Sequence, residues 1–178
     1  MSSHVRILGI AGSLRRGSYN QGALRAAKLF VPENVEIDIF QLDGIPMFNE
    51  DDEKRPPSSV LELKKRIRSA DAVLIVTSEY NYSVPGVLKN AIDWASRPQG
   101  DSAWSGKSAA IMGASLGAIG TARAQHHLRQ MFVTLNGPNS RYARNVRACA
   151  WIPQFSRAER IHNTLPESEC AVWIIGQT

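Results

Sequence analysis

The sequence predicts an α/β fold, an open, doubly wound parallel sheet with helices on both faces. Three observations point there. Short β-branched and aliphatic runs alternate four times with helical patterns. Two of those runs, Ala72 to Val76 and Ala109 to Met112, are continuously apolar, as central parallel strands covered on both faces are. The segments that follow the first, third and fourth runs are polar or glycine-rich where a pure connector would not need to be. A chain of 178 residues with 43% hydrophobic and 21% charged residues is one ordinary globular domain in size and composition.

Each element follows from its local pattern. Val5 to Ile10 reads as the first strand and ends in the turn GSLRRGSYN, residues 12 to 20. Ala23, Leu24, Ala27, Phe30 and Val31 then mark one face of an amphipathic helix that stops near Pro32. Val35, Ile37 and Ile39 alternate with Glu36 and Asp38, the pattern of a half-exposed strand toward a sheet edge. Residues 43 to 57, rich in Pro, Asp and Glu, form a loop. Ser59 and Glu62 have the capping-box spacing, and Val60, Leu63, Ile67 and Ala70 supply the buried stripe of a second helix. After the apolar third strand and the segment SEYNYS, Ser83 is placed to cap a third helix and Pro85 suits its first turn. That helix buries Val84, Val87, Leu88, Ala91 and Ile92. Ser108 to Ala114 is the fourth strand, SLGAIG the loop after it, and Thr121, Ala124, Leu128, Met131, Phe132 and Leu135 the stripe of a fourth helix.

Several function classes drop out. No apolar run approaches the ~20 residues of a membrane span, and MSSHVRILGI lacks a basic region followed by a long apolar stretch, so a cytoplasmic protein without a membrane partner is expected. Cys149 and Cys170 are too far apart for a metal knuckle or a redox pair, and no metal site is expected. The net charge of +5 comes from scattered residues. The one cluster, Lys64, Lys65, Arg66 and Arg68, reads as a solvated helix face, so no nucleic-acid partner is expected.

In a doubly wound sheet the carboxyl ends of the parallel strands share one edge, and ligands bind where the strand order reverses. The first loop brings Ser13, Ser18, Arg15, Asn20, Gly12 and Gly17 to a helix N-terminus, groups that suit a phosphate or, more plainly, a capped turn. Ser18 stands where a P-loop carries lysine, and Gly9 and Gly12 have the wrong spacing for a dinucleotide fingerprint. A phosphate monoester that is not transferred fits best. The second loop offers Tyr80 and Tyr82 beside Glu79 and Asn81, either a shelf for a planar heterocycle or packing residues. In the third, Gly113, Gly117 and Gly120 permit close backbone approach beside Ser115, or serve only tight turns.

GSLRRGSYN, EYNYSVPGVLKNAIDWASRP and TARAQHHLRQ resemble the NADPH-dependent FMN reductase family, near the bacterial quinone and chromate reductases, over roughly residues 5 to 138. The resemblance implies a flavodoxin-like three-layer α/β/α fold with strand order 2-1-3-4-5. It implies bound FMN, with NADPH or NADH as co-substrate and quinones, chromate or azo compounds as small-molecule acceptors. Gly12, Ser13, Leu14, Arg15, Ser18, Tyr19 and Asn20 would line the cofactor, with Ser13, Arg15, Ser18 and Asn20 on its phosphate. Glu79, Tyr80, Asn81 and Tyr82 would border the isoalloxazine, with Ser115 and Gly117 near its other side. Arg97 resembles the arginine that helps receive the nicotinamide nucleotide or an anionic acceptor; its plainer reading is a surface salt-bridge partner. No catalytic side chain is implied, because hydride transfer occurs at the flavin itself. Family members are dimers or tetramers. Ser78 stands in place of the family's proline, a departure expected to loosen the loop, and His126 in place of its tyrosine. The rival reading is a flavodoxin-like electron carrier, a class that tends to be acidic, against +5 here.

Residues 1–138 thus read as the FMN-binding domain and 139–178 as an atypical tail. In the tail all basic side chains but His162 are arginine, and Pro153 and Pro166 break it. A shift so abrupt points to translation in another reading frame or to divergence. The expectation is an irregular tail, a fifth strand missing or replaced, and an unprotected edge on the fourth.

Overall fold

The computed structural model describes residues 4–135 in full and the backbone of two short strands beyond them. Four strands, β1 (Val5–Ala11), β2 (Val35–Phe40), β3 (Ala72–Val76) and β4 (Ser108–Ser115), run parallel. They alternate with helices α1 (Tyr19–Leu29), α2 (Ser58–Ser69), α3 (Gly86–Ser96) and α4 (Ala122–Leu135). With β5 (Val146–Ala148) the sheet order is β2-β1-β3-β4-β5, the flavodoxin-like order expected. β2 is the edge strand its alternation implies.

The edge of β4 is not bare. Ala109 to Ile111 pair in parallel with β5, and Gly113 to Ser115 pair antiparallel with β6 (Ala171–Trp173). A short fifth strand therefore exists, and the expected unprotected edge is covered at those positions. The remainder of the tail lies outside the described residues.

Two apolar layers flank the sheet. On one face Leu8, Ile10, Val73, Ile75 and Ile111 meet Leu63 and Ile67 of α2, Leu88 and Ile92 of α3, and Leu128 and Phe132 of α4. On the other, Ala11, Leu74, Val76 and Met112 meet Ala23 and Leu24 of α1. Burying each of the Val, Leu, Ile, Phe and Met side chains among them contributes roughly 1.5–3 kcal/mol, so these stripes dominate the stability of the fold. The loop after β2 clamps α3 through Pro46, whose carbonyl accepts from Asn90 Nδ2 and Trp94 Nε1, both at 2.8 Å.

Four local expectations need correction. Phe30 is exposed, because α1 ends at Leu29 and Phe30 sits at its C-cap outside the helical period. Ser59 forms no capping box: α2 begins at Ser58 behind Pro57, so Ser59 lies inside the first turn, and its hydroxyl donates to Gly44 O. Ser83 does not cap α3, which starts behind Pro85, and its hydroxyl meets His127 Nδ1 at 3.0 Å. Lys64 is buried rather than on a solvated face, its ammonium held by Arg97 O and Asp101. Among the described residues no helix is long and apolar enough to cross a membrane, and no cluster of residues could hold a metal ion.

Candidate functional site

Parallel pairing of β1, β3 and β4 carries three loops to one edge of the sheet. The first is tied down from within. Gly12 N donates to Val76 O, the buried Ser13 hydroxyl accepts from Arg15 N, and Gln21 Nε2 donates to Ser13 O. Ser18 is the N-cap of α1 and accepts from Gln21 N. Gly12 has little room to change, since a Cβ there would lie 3.0 Å from Leu88 Cδ2.

This loop gathers hydroxyls, an exposed guanidinium and a helix N-terminus whose first-turn N–H groups lack intrahelical partners. Arg15 rests over the Tyr19 ring, 5.4 Å from its centroid, and among the described residues pairs with no carboxylate. No acidic residue lies between Gly12 and Asn20. Such a donor set fits a phosphate monoester. Leu14 is exposed at the loop's tip. Asn20 does something else: its Nδ2 donates to Ala114 O and its Oδ1 accepts from Ala114 N, so the amide ties α1 to β4.

The second loop is a tight turn. Tyr80 and Ser83 exchange two backbone hydrogen bonds of 2.9 Å, and between them Asn81 and Tyr82 have φ of 50° and 63°. Two successive positive φ values define the turn that normally takes Asn-Gly; a tyrosine in the second place costs on the order of 1–3 kcal/mol. Both tyrosine rings are exposed. Glu79 reaches the start of α4. Its Oε2 accepts from Arg123 N and Ala124 N at 2.9 and 3.1 Å, capping α4, and its Oε1 pairs with Arg123 Nη1 at 3.0 Å. Ser78 does not loosen the loop, because its hydroxyl donates to Gly12 O and joins the first loop to the second.

In the third loop Ser115 Oγ accepts from Gly117 N, and Leu116 and Ile119 are exposed. Gly113 is the point of closest approach: a Cβ there would fall 1.9 Å from Thr121 Oγ1 and 2.6 Å from Thr77 O.

Arg97 does not join these loops. It follows α3, which starts at this edge and runs back along its 11 residues, about 16 Å. There it pairs with Glu53 and, at 3.1 Å, with Glu50, and both hydrogen bonds and Coulomb attraction from Glu53 raise its pKa. The plainer reading, a salt-bridge partner, is the one these contacts favour.

The sequence reading missed Arg123. Its place two residues after Thr121 near a helix start carried no signal of the 44-residue reach to Glu79.

A phosphate-type cradle, an aromatic turn and a glycine loop at the strand ends of a parallel sheet define a nucleotide-binding α/β protein of flavodoxin-like architecture. The profile of the NADPH-dependent FMN reductase family matches residues 5–145, and the chain belongs to that family. It is 54% identical over 137 residues to an NAD(P)H-dependent FMN reductase of Pseudomonas aeruginosa, covering 76% of this chain and 74% of that one. It is 48% identical over 125 residues to a 2-hydroxy-1,4-benzoquinone reductase of a Burkholderia species, covering 70% and 68%. Among solved structures it is similar to the flavoenzyme NAD(P)H:(acceptor) oxidoreductase of Paracoccus denitrificans, with a TM-score of 0.71 and 40% identity over 75% of this chain and 74% of that one.

Proposed function

We propose that this protein is an FMN-dependent NAD(P)H oxidoreductase that passes electrons from a nicotinamide nucleotide to quinones. The observation that carries the reading is the loop of Ser13, Arg15 and Ser18 at the α1 N-terminus, which holds no acidic residue and whose Arg15 meets no carboxylate among the described residues, beside the exposed Tyr80–Ser83 turn. Membership of the FMN reductase family and the quinone-reductase relative support it. The redox chemistry, hydride acceptance from the nicotinamide and electron release to the acceptor, would be supplied by FMN held in this loop.

The chain's own work is positioning. Ser13, Ser18, Arg15 and the α1 N-terminus hold the phosphate, bordered by Gly12, Leu14, Tyr19 and the backbone of Asn20. Tyr80, Asn81 and Tyr82 face the ring system from one side and Ser115 and Gly117 from the other. Glu79 acts on the site indirectly, through α4. The reading needs no general base. Further parts of the proposal are a cytoplasmic location, chromate and azo compounds as additional acceptors, and a homodimer or homotetramer altered by the tail beyond residue 138. Light scattering on the purified chain measures the last.

The test is direct. Purified protein is expected to show the two visible absorption bands of bound FMN and to oxidise NADPH when 1,4-benzoquinone is added. A colourless protein that binds no added FMN would overturn the proposal, as would a flavin-loaded protein that leaves NADPH untouched.

A further inference from the structure

The outer edge of β4 carries two strands that run in opposite senses. β5 pairs in parallel with Ala109 to Ile111, and β6 pairs antiparallel with Gly113 to Ser115, so that Ala171 stands opposite Ser115 and Trp173 opposite Gly113. The backbone groups of β4 can be assigned a direction. Thr77 N donates to Met112 O, and the Asn20 amide engages both the N–H and the C=O of Ala114. Residues 112 and 114 thus direct their groups to the inner side, and alternation along a strand turns those of 109, 111, 113 and 115 outward. The first two meet β5 and the last two meet β6. Within β6 the bonding partners of β4 are therefore Ala171 and Trp173, while Val172, opposite Ala114, turns its N–H and C=O away from β4.

We infer that β6 is a positioning element of the cofactor site: its backbone bonds to Gly113 and Ser115 fix the loop of Ser115 and Gly117 beside the flavin ring, so that FMN binding and the pairing of β6 are coupled. The inference rests on the proposed FMN-dependent reading and deepens it. Residues 171–173 lie outside the stretch 5–145 that matches the family, so the contribution is this chain's own. The strand end that β6 holds is also the tightest point of the edge. Gly113 is hemmed in by Thr121 and the Thr77 carbonyl, and Ser115 Oγ accepts from Gly117 N, which ties the loop to the last residue of β4. Whatever fixes the backbone of Ser115 therefore fixes Gly117 through that side chain. Without β6, the outward N–H and C=O groups of Gly113 and Ser115 would lack a strand partner, and a strand end left so opens more readily. By linkage, a ligand that needs Ser115 in place strengthens the pairing, and the pairing strengthens the hold on the ligand.

Amide hydrogen exchange followed by NMR tests this first in the parent. Addition of FMN is expected to slow exchange about fivefold or more at Ala171 and Trp173 and by less than about twofold at Val172, whose N–H faces away from β4. Proline substitution tests the same alternation. Ala171→Pro removes the N–H that faces Ser115 and is expected to weaken FMN binding about fivefold, the scale of one lost backbone hydrogen bond. Riboflavin, which lacks the phosphate, is expected to lose affinity by the same factor, because β6 acts on the ring side of the site. Val172→Pro removes an outward N–H, which an edge strand tolerates, and is expected to leave FMN affinity within about twofold of the parent. Equal effects of the two prolines, a loss confined to FMN, or exchange at Ala171 and Trp173 that FMN does not change would overturn the inference while the proposed function stands. A parent that binds no FMN fails the proposed function itself, and equal exchange at the three β6 amides in that FMN-free protein would overturn the pairing as well. If Ala171→Pro does not fold, the exchange experiment on the parent decides alone.

Discussion

Two arginines stand in the motifs of this chain, and the structure treats them in opposite ways. Arg15, at the carboxyl edge of the sheet, lies exposed over Tyr19 and pairs with no carboxylate among the described residues. Arg97, at the far end of α3, is paired with Glu50 and Glu53, while nearby Lys64 and Arg68 converge on Asp101. The first region keeps its positive charge available to a ligand, and the second neutralises its charge internally. What separates a binding arginine from a structural one is therefore the supply of carboxylates around it, which adjacency in a motif does not reveal.

The largest expected effect comes from damaging the carboxyl edge where it is tightest. Gly113→Ala puts a methyl group against Thr121 and the Thr77 carbonyl. With backbone on one side and a buried threonine on the other, the strand end must shift, at about 3 kcal/mol or somewhat more. Urea denaturation measures the loss, and FMN affinity is expected to fall with it.

A smaller effect sharpens the contrast. Arg97→Ala leaves Glu53 without its cation in a mostly enclosed position, and a stability loss well below that of Gly113→Ala is expected in urea denaturation, with KM for NADPH within about twofold of the parent. A large KM increase with parental stability would return Arg97 to the binding role its motif implies.

The alternation of apolar runs with helical stripes made the layered fold legible, because burial enforces periodicities that the sequence displays openly. The strand order follows from the resemblance and the gathering of loops at one edge from the parallel topology, and the structure agrees with both. The site was less legible where side chains act at long range. Nothing local to Asn20 shows that its amide is engaged by Ala114, nor does the sequence around Glu79 show that it caps a helix 44 residues away. Lys64 was misread for the same reason: a lysine among basic neighbours looks solvated until Asp101 and the Arg97 carbonyl fold against it. Ser78 was judged by what it replaces, whereas its hydroxyl makes a bond that proline could not.

That bond supplies the next expectation. Ser78→Ala removes the link from the second loop to Gly12 O, and a loss of about 0.5–1.5 kcal/mol is expected in denaturant titration, with FMN affinity lowered by a smaller factor than Gly113→Ala produces.

The smallest effect belongs to the neutralised region. Hydrogen bonds from Lys64 and then Arg68 hold the Asp101 carboxyl below its ordinary pKa. A folded-state pKa below the unfolded one contributes stability that is present above the ordinary carboxylate range and is lost as pH falls through the folded value. Asp101 is more than half exposed, so solvent screens the contribution. Melting temperature against pH is expected to fall less steeply below pH 4 in Asp101→Asn than in the parent, and parallel curves would remove Asp101 from the account.

The central claim, that the carboxyl-edge loop and not the enclosed cluster holds the cofactor, is tested most directly by titrating FMN-free protein with FMN and following flavin fluorescence in Arg15→Ala and Arg97→Ala side by side. A hydrogen-bonded charge on a phosphate is worth about 1.5–3 kcal/mol, so Arg15→Ala is expected to weaken FMN binding roughly tenfold to a hundredfold while Arg97→Ala leaves it within twofold. Unchanged FMN affinity in Arg15→Ala, or a larger loss in Arg97→Ala, would contradict the account.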